Sequence, residues 1–289
     1  MIITLISKAC SIIIENRHSS KSNLIFITSL WFFVLTGSAT GQSQYQHLFD
    51  TYAVSGSTTI YVYNNKTWLF TDSVDAHTET LPASTFKIMN ALIALEEKAV
   101  KDEHEVLKWD RIRKKHFDTE IDSWNKDTDL KTAYKNSTIW FFVRLAEKIG
   151  RTNYQQYLEK CDYGNANLSE KGTDFWNYGD FGITPKNQVE FLVHLHENKV
   201  PFSSETSSTV KEIMISEKTD AYILREKTGW TRKADQDIGW WVGYIETPEQ
   251  LLFFATRIKK DVKQNNPNFS KARKEITKSI LSDMSIFID

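Results

Sequence analysis

Pro82-Ala83-Ser84-Thr85-Phe86-Lys87 opens a segment that continues as Ile88-Met89-Asn90-Ala91-Leu92-Ile93-Ala94-Leu95-Glu96. Proline fits the start of a helix, where its missing N–H would have no partner anyway. Ile88, Ala91, Leu92 and Leu95 then recur at helical spacing. The stretch therefore predicts a helix that begins near Ser84 and buries one face. Residues at i and i+3 share that face, so the Lys87 amine can reach the Ser84 hydroxyl. Serine is a poor nucleophile until a neighbouring base takes its proton. At a helix start the Ser84 N–H has no intrahelical partner and the dipole favours negative charge, which suits an oxyanion hole. An ordinary N-cap serine has the same local pattern, so this segment alone leaves both readings open.

Three more motifs follow in order: Ser137-Thr138-Ile139, Tyr163-Gly164-Asn165 and Lys227-Thr228-Gly229. Lys87 sits between Phe86 and Ile88 on an apolar helix, which argues against a surface lysine. A buried, unpaired lysine loses its charge, and the neutral amine can act as a base or add carbon dioxide to form a carbamate. Ser137 heads a helical pattern that runs to Ile149 and stops at Gly150. It is either a proton relay to a leaving amine or an N-cap. Tyr163-Gly164-Asn165 reads locally as a turn. Lys227-Thr228-Gly229 reads as the end of an edge strand, where a cation and a hydroxyl can recognise a carboxylate. Gly229 would let a substrate approach the backbone; a solvated lysine at a strand end is the alternative. Together the four motifs point to an acyl-transfer enzyme.

Around these motifs, residues 58–63 and 67–71 are β-rich runs joined by Asn64-Asn65-Lys66, a hairpin signal. Residues 100–215 carry mostly helical pattern, and strand character returns at 221–228, 238–246 and 250–258. A last amphipathic helix is expected over 270–286. Strands at both ends with helices between them predict an α+β fold. An antiparallel sheet built from the two ends would be flanked by helices, with an inserted helical lobe and a cleft between.

The 289 residues allow one large domain or two intimately packed ones. With 36 Lys+Arg against 37 Asp+Glu, no basic excess marks a nucleic-acid binder. His194 and His196 fall on different faces of a predicted helix, no cluster has zinc spacing, and no glycine-rich phosphate loop occurs. Residues 24–35 (LIFITSLWFFVL) are short for a bilayer span, which needs about 20 apolar residues. Arg17, His18 and Lys21 precede them and small residues follow, the pattern of a secretory signal peptide cleaved within 39–43. An uncleaved anchor is the alternative. The division expected is a leader over 1–41 and a catalytic domain over 42–289, released to the periplasm without stable membrane association. Cys10 leaves with the leader, so Cys161 has no intramolecular partner and is expected as a packed small hydrophobe.

Taken together, the chain resembles the class D serine β-lactamases, the oxacillinase family, over essentially all of 42–289. Ala83 through Glu96 resembles the family's nucleophile helix. Lys227-Thr228-Gly229-Trp230 followed by Gly239-Trp240-Trp241-Val242-Gly243 resembles its active-site strand and the next one. The related S-D-N signature marks class A enzymes, whereas Ser137-Thr138-Ile139 and Tyr163-Gly164-Asn165 favour class D. The resemblance implies a serine β-lactamase/penicillin-binding-protein-like fold and hydrolysis of penicillins and oxacillin-type substrates, conferring β-lactam resistance. It implies that Ser84 forms an acyl-enzyme, that Lys87 is N-carboxylated and acts as general base, and that Ser137 shuttles protons. Trp176, in Asp174-Phe175-Trp176, would hold the carbamate through its indole N–H. The N–H groups of Ser84 and Trp230 would form the oxyanion hole. Lys227, Thr228, Gly229, Ile139 and Arg273, the last through Ala272-Arg273-Lys274-Glu275-Ile276, would bind substrate. No cofactor or metal is implied beyond carbon dioxide or bicarbonate for Lys87, and the partner is a small-molecule β-lactam taken up by a monomer or homodimer. Two positions depart from the commonest pattern: Ile139 replaces a valine, and Asn177 stands where many members have leucine. Both flank the carbamate site, so they bear on turnover and substrate range rather than on reaction type.

Two competing readings remain at this level. A β-lactam sensor domain would acylate and stall, but about 40 residues before the domain leave no room for the several spans such sensors carry. A small penicillin-binding peptidase would act on cell-wall peptides, against which the Trp176 match counts.

Overall fold

From Asp237 to Ile245 every residue is buried, because helices cover both faces of the strand they form. Alternate side chains of a strand point to opposite faces. Trp240, Val242 and Tyr244 accordingly join one apolar cluster, and Trp241 and Ile245 another. The next strand splits the same way, Phe253 and Ala255 to the first cluster and Leu252, Phe254 and Ile258 to the second. The computed structural model describes residues 44–117, 119–286 and 288, all within one compact unit, Ala39–Asp289. The expected leader over 1–41, with Cys10 and its cleavage region, lies outside the described residues.

In chain order, α1 (Gln46–Thr51) precedes β1 (Ser55–Val62) and β2 (Thr67–Phe70). Helix α2 (Ser73–Ala76) and a 3₁₀ turn (Ala83–Phe86) lead into α3 (Lys87–Glu96). A short hairpin, β3 (Lys115–His116) and β4 (Thr119–Glu120), and a second 3₁₀ turn (Asp122–Trp124) come next. Helices α4 (Leu130–Asn136), α5 (Ile139–Ile149), α6 (Arg151–Lys160), α7 (Pro185–His196) and α8 (Ser204–Ile213) follow. Strands β5 (Ile215–Lys218), β6 (Ile223–Lys233), β7 (Gln236–Glu246) and β8 (Leu251–Asp261) return to the sheet, and α9 (Phe269–Asp283) packs on it. No helix among the described residues is long and apolar enough to cross a membrane.

The main sheet runs β2-β1-β8-β7-β6-β5 and is antiparallel throughout. It is an α+β architecture joined by the two ends of the domain, β1 pairing with β8 from Ser55 opposite Lys259 to Val62 opposite Leu252. Helix α7 packs on one face and α9 on the other. Arg257 interrupts the apolar run of β8 and is fully buried. Asp75 lies 2.8 Å from its guanidinium, which also donates to the Asp75 and Thr78 carbonyls at 2.7 Å. Cys161 is packed in the first cluster and burial pushes its thiol up to about 12, so it stays a protonated, unreactive side chain.

Two sequence expectations change here. Lys227-Thr228-Gly229 lies in the middle of β6 rather than at its end, since β6 continues to Lys233 and pairs with β7 along its full length. Nor is β6 an edge strand at its start: β5, which the pattern did not suggest, pairs with it from Ile223 to Arg225. Beyond Arg225 that side of β6 is free of strand pairing and meets the 3₁₀ turn that carries Ser84.

Candidate active site

Ser84 sits in the 3₁₀ turn Ala83–Phe86, which passes directly into α3. Ala83, just before it, has φ +54°, a left-handed conformation that costs about 1–2 kcal/mol for a residue with a Cβ. Tertiary bonds hold it there. Ala83 N–H donates to the Trp176 carbonyl at 3.0 Å, and the Thr85 hydroxyl donates to the Pro82 carbonyl at 2.6 Å. Gln188 on α7 donates to Thr85 Oγ1 at 2.8 Å and accepts from the Tyr163 hydroxyl at 3.2 Å. Phe86 packs against the rings of Tyr163, Phe175, Trp176 and Phe181. The Tyr163-Gly164-Asn165 turn thus acts as a support under the nucleophile turn.

Lys87 is fully buried, and its Nζ donates to Ser84 Oγ at 2.8 Å. With a neutral amine the same contact reverses, the hydroxyl donating. Burial pushes the amine down to about 8, partly opposed by the charge of Asp174. Trp176 is also fully buried, stacks on Phe86 at 5.5 Å, and its Nε1–H has no hydrogen-bond partner. A buried donor without an acceptor is costly. An anionic group placed against it would supply one, a requirement that a carbamate can meet.

Ser137 is not an N-cap. It adopts the left-handed conformation at the C-terminal end of α4, with φ +55° and ψ 36°, and Thr138 precedes α5 without a side-chain cap. The chain needs that conformation to reverse between two helices in immediate succession, which an apolar stripe starting at Ile139 does not reveal. The turn carries Ser137 Oγ to within 2.6 Å of Lys227 Nζ, which donates to it and to the Thr228 carbonyl at 2.9 Å. Burial, then the charges of Lys87 and Arg273, push the Lys227 amine well down.

Gly229 has a packing reason to be glycine. A Cβ there would lie 3.0 Å from the Pro82 carbonyl oxygen and 3.1 Å from both Ala83 Cβ and Ser84 N. Its absence lets β6 lie directly against the Ser84 amide, with Trp230 next along the strand. Thr228, just before Gly229 on β6, is half-buried. Arg273, on α9, donates to the Gly229 carbonyl at 2.6 Å and to Ser270 Oγ at 3.2 Å, while its Nε is buried without a partner. Burial draws its guanidinium down to about 10 against the opposing charge of Glu226. Ser84, Lys87, Ser137, Lys227, Gly229 and Arg273 are therefore linked by direct contacts through the turn and β6.

Ile139 and Trp124 line a cavity of about 630 Å³ together with Trp140, Val143, Asp174 and Tyr178. The β3–β4 hairpin approaches from above: Phe117 packs on Trp230 at 5.5 Å, and the Arg232 guanidinium lies 4.2 Å from the Phe117 ring centroid. His116 contacts Trp230 at 6.0 Å. Burial, then the charges of Lys87, Arg232 and Arg273, push its imidazole down to about 4, so it is neutral near pH 7. Neither residue stood out in the sequence, where a Lys-His-Phe run has no chemical signature. Asp174 was equally silent. Burial raises its carboxyl to about 6, opposed by the Lys87 charge and a 2.8 Å hydrogen bond from Asn177 Nδ2.

The chain is similar to known proteins over most of its length. The family model described as penicillin binding protein transpeptidase domain matches residues 31–282. β-Lactamase OXA-3 of Pseudomonas aeruginosa is 40% identical over 187 residues, an alignment spanning 65% of this chain and 65% of that protein's length. β-Lactamase OXA-10 of Pseudomonas aeruginosa is 34% identical over 91% of this chain and 96% of its own. The crystal structure of a class D β-lactamase from Sebaldella termitidis superposes with a TM-score of 0.80 at 43% identity, covering 84% of this chain and 96% of that one.

Proposed function

This chain belongs to the class D serine β-lactamases, and we propose that it hydrolyses penicillins and oxacillin-type β-lactams through an acyl-enzyme on Ser84. One observation carries the reading: a fully buried lysine amine, depressed by burial, lies 2.8 Å from a hydroxyl backed by a helix. Lys87 is the group that removes the Ser84 proton as Oγ attacks the lactam carbonyl carbon. Charge that develops on the carbonyl oxygen is met by the N–H groups of Ser84 and Trp230; one such donor is typically worth about 3 kcal/mol. As the lactam C–N bond breaks, the leaving nitrogen takes a proton from Ser137, which Lys227 touches and can resupply. Lys227, Thr228 and Arg273 hold the substrate carboxylate. Water then attacks the acyl carbon and releases Ser84.

Carbon dioxide on the Lys87 amine would supply an anionic oxygen as the base for both half-reactions, with Trp176 Nε1–H as its donor. In the same reading, the leader over 1–41 delivers the domain to the periplasm, where hydrolysis confers β-lactam resistance. The test is benzylpenicillin or oxacillin hydrolysis by the purified domain with and without bicarbonate. Steady multiple turnover raised by bicarbonate is expected. A single burst equal to the enzyme concentration would instead identify a sensor or a penicillin-binding protein.

A further inference from the structure

Asp174 is a carboxylate that none of these steps uses. It stands two residues before Trp176 and lines the cavity beside Ile139. Asn177 clamps it twice, its side-chain amide donating to Oδ1 at 2.8 Å and its backbone N–H to the Asp174 carbonyl at 3.0 Å. Its charge acts on Lys87 and that of Lys87 acts on it, although the Lys87 amine spends its hydrogen bond on Ser84. Lys227 on β6 and His116 on the β3–β4 hairpin also feel Lys87, each pushed down first by burial and then by that charge. Tyr178 on the same cavity wall is pushed up by burial and then by the Asp174 charge. Asp174 is thus a clamped carboxylate on the cavity wall whose charge reaches Lys87, in a buried setting where Coulomb interactions are strong.

We propose that Asp174, oriented by Asn177, is a positioning residue that sets how readily Lys87 gives up its ammonium and takes up carbon dioxide. This rests on the carboxylated-lysine reading above. The ammonium first loses a proton to solvent. The amine lone pair then forms an N–C bond to carbon dioxide, one C=O π pair moves onto oxygen, and a second proton leaves. Nζ thereby passes from a cation to the attachment point of an anion. An ionised Asp174 favours the first state and repels the last, so it opposes carboxylation. Asn177, by donating to the ionised carboxylate, keeps that opposition in place. The leucine-to-asparagine departure at this position then has a chemical consequence: it ties bicarbonate demand to the charge of one carboxylate.

Two NMR measurements test this on the whole domain. In one, ¹³C-bicarbonate is titrated at fixed pH and the Lys87 carbamate signal is followed. In the other, the Lys87 amine is titrated in bicarbonate-free buffer through ¹³C-labelled lysine. Asp174→Asn is expected to lower the half-saturating bicarbonate concentration by about tenfold and to move the amine midpoint downward. Asp174→Glu, which keeps the charge, should restore values close to wild type, a rescue that a purely structural role would not produce. Asn177→Leu should shift both readouts in the same direction as Asp174→Asn but less, and carries the test if Asp174→Asn does not fold. Unchanged half-saturation and amine midpoint in Asp174→Asn, or a glutamate variant that behaves like the asparagine one, would overturn the proposal. Absence of any carbamate signal in wild type would sink the carboxylated-lysine reading. The amine titration would then still decide on Asp174, a downward midpoint supporting its role and an unmoved one overturning it.

Discussion

Lys227 Nζ lies 2.6 Å from Ser137 Oγ across a separation of 90 residues, the amine on a sheet strand and the hydroxyl at a helix–helix turn. The Lys227 amine also donates to the Thr228 carbonyl at 2.9 Å. In the proposed reaction the Lys227–Ser137 contact resupplies the proton given to the leaving nitrogen. Ser137→Ala removes the hydroxyl and leaves Lys227 with the Thr228 carbonyl. Loss of a positioned proton donor should slow acylation by about 10²–10⁴-fold. Stopped-flow acylation by a chromogenic β-lactam reads this directly; an acylation rate within a few-fold of wild type would remove Ser137 from the relay.

Gly229→Ala places a Cβ 3.0–3.1 Å from Pro82 O, Ala83 Cβ and Ser84 N. Two of these are backbone atoms, so the nucleophile turn and β6 must move apart. Displacing the Ser84 and Trp230 amides from one another weakens both oxyanion donors, and kcat is expected to fall by about 10²–10³-fold. Overpacking should cost about 1–3 kcal/mol of stability. Activity that survives while Tm falls would show that the turn relaxes without disturbing the donors.

Lys87→Met is expected to be inactive and more stable than wild type at pH 7. In the folded protein the amine is held near 8, against an ordinary value of 10.5. Between those two values the unfolded chain binds more protons than the folded one, so wild-type stability rises with pH across that window. Below the folded value the full cost of protonating a buried amine is present. Replacing it with an apolar side chain of similar shape should stabilise by about 1–3 kcal/mol. The advantage should shrink as pH climbs toward 10, when wild type no longer carries the charge. Thermal denaturation of both proteins, measured without bicarbonate from pH 6 to 10, checks the sign.

Trp176→Phe keeps an aromatic ring against Phe86 and removes the partnerless indole N–H. Weaker retention of a Lys87 carbamate is expected, seen as slow deacylation that recovers at high bicarbonate. Trp176→Ala should show the same defect with a further loss of about 3–5 kcal/mol in stability, because it also empties a core site. Full, bicarbonate-independent activity in the phenylalanine variant would falsify the donor role.

Local pattern was enough to mark the helix that begins at Lys87, the β1–β2 hairpin and the strands that became β6, β7 and β8. It did not mark the 3₁₀ turn before that helix, which carries Ser84. Hydrophobic spacing reports how each segment repeats along itself, and Gly150, with φ +78°, ends α5 where the sequence stops its apolar stripe. The i, i+3 geometry of Ser84 and Lys87 is equally local, and so their contact could be argued before any packing was known. Strand limits were less legible: β6 runs past Gly229 to Lys233 because β7 pairs with it throughout, and pairing is a property of two strands.

Other features arise from approach between distant segments. The left-handed Ser137, the closeness of Gly229 to the Ser84 amide, the hairpin over Trp230 and the Asp174–Lys87 coupling have no signature in their own neighbourhoods. A depressed lysine or a raised carboxyl is made by burial and by the charges packed around it. Residue type and spacing name the groups able to do the chemistry, because helix and strand periods are set by the backbone. Their charge states and mutual distances follow from which buried surfaces meet, and that is settled when the sheet closes against the helical lobe.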